Sequence, residues 1–241
     1  MKRLLFIFLF VSSVHSFNSN DMGSILTLGP ISFKVIESGK SNRSFVWLHG
    51  DEKTAKMALD HHIKIYDGKA FYINSDERIV RINGNRIDPN RVFSRNGAKK
   101  SLIKYDSNLK PSNLKKILDS IDIGKETFLK QFLPNSNGLV IAIHNNSRGY
   151  TIKSEIKNSI KYSIKKNQRF QDFYICTNSN DYKILEKSPY NVVLLNNVLK
   201  DDGSLSILMK KMNVRYINVE VKLGWLSKQK KMLEYIEENL P

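Results

Sequence analysis

The chain has one cysteine in 241 residues, so Cys176 can form no intramolecular disulfide and no cysteine-rich structural metal site can be assembled. Its neighbours Phe173, Tyr174 and Ile175 make it a small buried hydrophobe rather than a reactive thiol. The 6 prolines are dispersed, which leaves no proline-rich linker between domains, and internal repeats are absent. Acidic residues are scarce, 23 against 39 Lys and Arg, and the formal charge of +16 favours a polyanionic partner. The lysines over 156–166 and 228–231 lack interleaved aromatic stacking platforms, which argues against nucleic acid as that partner. An anionic envelope polymer suits the charge better.

Long apolar runs are also missing, except at the start. Met1-Lys2-Arg3, the apolar stretch Leu4 to Val11, and Val14-His15-Ser16 follow the pattern of a cleavable secretory signal. The expectation is a signal peptide over 1–16 and one mature domain over 17–241, exported to the periplasm or secreted. The apolar stretch is shorter than the roughly 20 residues of a spanning helix, and no later segment reaches that length, so no transmembrane segment is expected after signal cleavage. What remains is enough for one sizeable core and too little for two ordinary domains.

Short β-like runs alternate with helix-like stretches, the pattern of an α/β domain. Strands are expected at Ile31–Ile36, Phe45–Leu48, Ala70–Asn74, Ile79–Ile82, Leu139–Ile143, Phe173–Thr177, Asn191–Leu195 and Tyr216–Val221. Helices are expected at Thr54–Ile63, Asn113–Ile121, Glu126–Phe132, Glu155–Lys166, Asp181–Glu186, Leu205–Met212 and Ser227–Asn239. Leu139–Ile143 and Asn191–Leu195 are continuously apolar, as in strands covered on both faces. The predicted architecture is therefore a central mixed, mostly parallel sheet flanked by helices. Phe93–Ser112 is polar and lysine-rich without a clear period, and is expected to be a loop or flap over the site.

Ligands of open α/β sheets bind beyond the carboxyl ends of the strands. Candidate residues cluster at such ends. His49 follows the run Phe45–Leu48, with Glu52 three residues later; His144 follows Leu139–Ile143; Glu220 lies late in Tyr216–Val221. Two histidines and one carboxylate leave the fourth position of a zinc ion open, as a catalytic site requires. A second carboxylate must then take the proton of the attacking water. Glu220 is the candidate, because a glutamate among Val, Ile and Tyr is costly to bury without a task or partner.

The order His49-x-x-Glu52, then Asp88-Pro89-Asn90-Arg91, then His144 after an apolar strand, then Val219-Glu220 resembles the zinc carboxypeptidase superfamily, most nearly its succinylglutamate desuccinylase and aspartoacylase branch. The resemblance runs from about Val46 to Glu220. It implies Zn2+ held by His49, Glu52 and His144, a substrate carboxylate held by Asn90 and Arg91, and water activated by Glu220. A further arginine polarising the carbonyl would be Arg81 or Arg86, with Arg86 favoured by its closeness to Asn90, and Tyr150 is a candidate for the tyrosine that peptidase members offer the substrate. The chain departs from the pattern at Pro89, commonly Leu, and at Ala142, where the branch often has an Asp that would orient the third ligand.

The resulting expectation is an exported zinc-dependent hydrolase, of carboxypeptidase or amidohydrolase type. Its substrate would be a peptide, such as a cell-wall peptide, or an N-acyl amino acid, cleaved at an amide bond next to a free carboxylate. The rival expectation is a non-catalytic, cationic envelope-binding protein on the same fold.

Overall fold

The structure, a computed structural model, describes residues 23–146, 149–196 and 200–241; the expected signal segment 1–16 lies outside them. Along the described residues run β1 (Ser24–Leu28), β2 (Ile31–Ser38), β3 (Arg43–Trp47), α1 (Lys53–His62), β4 (Gly68–Ile73), β5 (Val80–Ile82) and β6 (Asn85–Ile87). A 3-10 turn at Pro89–Arg91 leads into α2 (Arg95–Tyr105), α3 (Pro111–Phe132), β7 (Leu139–Asn146), α4 (Ile152–Ile156) and β8 (Ser159–Ser163). The chain closes with β9 (Phe173–Cys176), α5 (Ser179–Leu185), β10 (Asn191–Leu195), α6 (Leu205–Lys211), β11 (Arg215–Lys222) and α7 (Leu226–Asn239). None of these helices is long and apolar enough to cross a membrane.

Nine strands form one mixed sheet in the order β1-β2-β4-β3-β7-β11-β9-β10-β8, and β5 and β6 form a separate hairpin. The α/β class is as expected, but the sheet is not mostly parallel. Its inner block β4-β3-β7-β11 is parallel, as is β9 with β10, while β1–β2, β2–β4, β11–β9 and β10–β8 are antiparallel. A continuously apolar strand reports burial on both faces and not direction, which is why composition missed this. One antiparallel pair is set by a local turn: Leu28 pairs with Ile31 around Gly29-Pro30, with Gly29 at φ 56°.

Helices cover both faces. Tyr174 on β9 donates its hydroxyl to Met232 O on α7, and Phe45 on β3 packs edge-on against His62 of α1, so α1 and α7 share one layer. Phe33 and Phe71 pack on Phe128 of α3, which covers the opposite face. Because side chains alternate along a strand, His144 and Glu220, register partners on β7 and β11, fall on the α3 face, while Asn145 faces α1 and α7. One buried apolar cluster reaches from Leu26 to Leu240, with a small satellite around Ile152, Phe173 and Val193.

Three further expectations are corrected. Asn113–Ile121 and Glu126–Phe132 belong to one helix, α3, which runs through Gly124; a Cβ there would lie 2.0 Å from Gly29 N, so the bare glycine lets the β1–β2 turn sit against the helix. Glu155–Lys166 is not a helix but the short α4 followed by edge strand β8. The spacing Ile156, Ile160, Ile164 mimics a helical stripe, yet Ile160, Tyr162 and Ile164 also alternate by two, and the lysines suit an exposed edge. Phe93–Ser112 is not a flap: it contains α2, whose buried side is made of Gly97, Ala98, Ser101 and Leu102, residues too small or polar to register as an apolar stripe.

Candidate metal centre

The site is assembled from the β3–α1 junction, the end of β7 and the loop after β6. Glu52 is the residue before the first turn of α1, and its backbone is fixed on both sides: Glu52 N donates to His49 O, and Trp47 Nε1 donates to Glu52 O at 3.0 Å. Gly50 has no alternative here, because a Cβ would lie 2.1 Å from Ser75 O. The tight turn therefore returns Glu52 toward His49. His144 lies inside β7 and does not close it, with Asn145 and Asn146 continuing the strand rather than turning.

His49, Glu52 and His144 are all buried, and one donor atom from each falls within 4.8 Å of the others. His49 Nδ1 is 2.9 Å from Glu52 Oε1, and His144 Nδ1 is 2.9 Å from Glu52 Oε2. Glu52 also accepts from Asn145 N at 3.0 Å and from Arg78 Nη1 at 2.7 Å. The second nitrogen of His49, Nε2, lies 2.9 Å from Asp88 Oδ1, a carboxylate–histidine pairing of the kind that orients a ligating ring, and it leaves Nδ1 turned into the cluster. The His144 ring has no such support, since its Nε2 is buried without a partner. Its backbone is held instead: Gln229 Nε2 donates to His144 O at 2.9 Å, and Asn145 Nδ2 donates to Gln229 Oε1 at 2.8 Å.

The electrostatics are those of a charged nest. Burial pushes the Glu52 carboxyl up, but His144 and then His49 outweigh it and hold it well below the usual carboxylate range. Burial likewise opposes charge on His49, but Glu52 and then Asp88 raise it to about 9. Asp88 resists its own burial through His49 and sits at about 2. These residues suit a divalent cation: two imidazoles and a carboxylate converge, an orienting acid stands behind one ring, and metal would take the place of protons. The cluster can therefore hold a metal ion, and its ligand types are those of zinc or iron.

A cleft of about 1060 Å³ opens over the cluster, with Asp88, Asn90, Arg91, Tyr150 and Glu220 on its walls. Glu220 is buried and accepts from Asn218 Nδ2 at 3.0 Å and Asn146 Nδ2 at 3.4 Å. Burial raises its carboxyl above the ordinary value, with Glu52 adding to the effect, His144 opposing it and the two asparagines partly offsetting it. Asn146 Oδ1 and Asn218 Oδ1 are buried without a protein partner, like His144 Nε2. All three belong to residues lining the cleft.

Asn90 and Arg91 reach the cleft, though each is partly committed. Asn90 Oδ1 accepts from Leu205 N at 3.0 Å, while Arg91 Nη1 donates to Asn90 O at 2.8 Å and stands 3.6 Å from Asp202. Tyr150 donates its hydroxyl to Glu155 Oε1 at 2.8 Å. Arg86 does not line the cleft; it donates to Tyr105 O at 2.8 Å and lies over the Tyr105 ring. Arg81 pairs with Arg86 across the β5–β6 hairpin and is outside the cleft too. The arginine brought to the cluster is Arg78, which sequence reasoning passed over because it stands in the polar loop after β4, between two acids and a short strand. Gln229 was also missed, although a glutamine on the stripe Leu226, Met232, Leu233, Ile236 is a readable sign of a buried polar contact. No family model, no curated protein and no solved structure matches this chain.

Proposed function

We propose that the protein is a zinc-dependent hydrolase that cleaves an amide bond next to a free carboxylate, in the manner of the zinc carboxypeptidase superfamily, and that it acts after export. The observation that carries this reading is the convergence of His49 Nδ1, His144 Nδ1 and both Glu52 oxygens in a buried pocket that also contains a separate carboxylate, Glu220. A purely structural cluster has no use for that second buried acid.

When bound, zinc supplies Lewis acidity to the substrate carbonyl and acidity to the attacking water. His49, Glu52 and His144 would hold it, and Asp88 keeps the His49 ring in place. Glu220 takes the proton of the attacking water as the oxygen–carbon bond forms, then delivers it to the leaving amine as the carbon–nitrogen bond breaks. Its raised pKa suits both halves of that task, since a very weak base would not accept the proton. Arg91, steadied by Asn90 O, pairs with the free carboxylate of the substrate, and the Asn90 amide nitrogen donates to the same group. Arg78, bonded to Glu52, takes the role of the further arginine, since Arg86 does not line the cleft.

The test is hydrolysis of N-acyl amino acids and short peptides beside the same compounds with the terminal carboxylate converted to an amide. Activity is expected only on the free acids and only with metal present. Arg91→Ala is expected to lower kcat/KM on the acids by roughly 10- to 100-fold, through KM more than kcat, the worth of a lost charge-assisted contact. Equal turnover of acids and amides by the unaltered protein would end the carboxylate-clamp reading and leave a more general metal-dependent deacylase.

A further inference from the structure

The cleft is larger than one amino acid needs, since pockets that enclose a whole drug-sized ligand run from about 300 to 1,000 Å³, against about 1060 Å³ here. Its walls carry charges of both signs, and the two signs are not equally paired. The acids on its walls are engaged: Asp201 with Ser94 Oγ, Gly203 N and Lys211, Asp202 with Ser204 N and Arg91, and Glu155 with Tyr150. The lysines on its walls lack an acidic partner. Among the described residues, Lys100, Lys104, Lys157 and Lys200 line the cleft without a carboxylate to pair with, and Lys104 lies over the Tyr105 ring.

Lys100 and Lys104 are exposed, and both stand on the cleft wall. Gly97, Lys100, Ser101 and Lys104 all line the cleft, and that spacing defines one face of α2. The helix is pinned to the site: Asp88 N donates to Ser101 Oγ at 3.0 Å, between the two lysines, and Ser94 at its start bonds Asp201. The two ammonium groups are thus carried by a helix locked to the loop that bears Asp88, Asn90 and Arg91. Two like charges on the cleft-facing side of one helix attract ligands of the opposite charge to that part of the wall.

We infer that Lys100 and Lys104 form a second anion subsite, which selects an acidic peptide with at least one side-chain carboxylate besides the carboxylate held at Arg91. This rests on the hydrolase reading for the peptide's orientation, but binding itself can be measured without turnover.

The experiment uses the full chain carrying Glu220→Gln, loaded with zinc, and N-terminally labelled pentaglutamate and pentaglutamine followed by fluorescence anisotropy at low and at moderate salt. Pentaglutamate is expected to bind about tenfold more tightly at low salt, with the difference shrinking as salt rises. Lys100→Ala/Lys104→Ala is expected to remove most of the difference. Lys130→Ala/Lys231→Ala, an equal loss of charge at exposed positions outside the cleft, is expected to leave it. Equal binding of the two peptides, or an equal loss in the control pair, overturns the subsite. Metal content of the same samples separates the two ideas: zinc bound with no preference for glutamate defeats only the subsite, whereas a lysine-dependent preference in protein that never takes up metal defeats the hydrolase reading and leaves an acidic-peptide binding cleft.

Discussion

Glu220→Gln is expected to lower kcat by about 10²–10⁴-fold while the bound metal stays in place, the range for loss of a positioned general base. Gln keeps the shape of the side chain and can still accept from Asn218 Nδ2 through its remaining oxygen, giving up only the longer contact from Asn146 Nδ2 at 3.4 Å. What it cannot do is take a proton. The same variant carries a second signature in metal-free protein. Burial, reinforced by Glu52, raises the Glu220 carboxyl above its value in the unfolded chain, so the ionised group works against folding once the pH exceeds the ordinary carboxylate value of about 4.3. Below that pH both states hold the proton and the penalty is gone. Glu220→Gln is therefore expected to raise Tm at pH 7 by an amount that shrinks toward pH 4, the mark of a residue kept for function at the expense of stability. A variant with full turnover removes Glu220 from the mechanism.

Glu52→Gln is expected to act in the opposite sense on stability. Glu52 accepts from His49, His144, Arg78 and Asn145 N in a buried setting, so neutralising it leaves cationic neighbours without their counter-charge. Removing one partner of a buried ionic cluster costs about 3–5 kcal/mol. The lower end applies, because His49 can lose its proton and keep its contact with Asp88. At this chain length 1 kcal/mol shifts Tm by roughly 2–4 °C, so a melt of chelated protein at pH 7 should fall by roughly 6–12 °C. The Glu52 carboxyl is held below its usual range, so its stabilisation is complete above about pH 4.3 and fades as pH falls further, and the two melts converge on acidification. The variant should also fail to retain zinc. A Gln variant as stable as the unaltered protein would show that the cluster is not the ionic nest described.

The parts of this arrangement legible in the sequence are those with local signals. The apolar runs of β7 and β10 are continuous, those of β3 and β11 are short or broken by polar residues, and each was placed within a few residues. His49, Glu52, His144 and Glu220 stand at or near the carboxyl ends of three of them, which is where ligands of α/β sheets bind, and the side-by-side parallel pairing of those strands in the middle of the sheet brings the residues together. Long-range pairing was illegible. Nothing near Phe173 signals that β9 runs antiparallel to β11, and nothing near Asp88 signals that its carboxylate reaches His49, 39 residues away. Arg78 and Gln229 were missed for the same reason, since their partners are 26 and 85 residues distant. α2 was hidden by composition: its inner side is built from glycine, alanine and serine, and its visible residues are lysines.

The most direct test of the central claim is the metal content of the purified protein beside that of His49→Ala, by elemental analysis after buffer exchange without chelator. The account predicts near-stoichiometric zinc in the first and its loss in the second, because the variant removes the imidazole whose two nitrogens are held by Glu52 and by Asp88. Absence of metal from both proteins, even after zinc is added back, would contradict the account and favour a cationic envelope-binding protein in place of an enzyme.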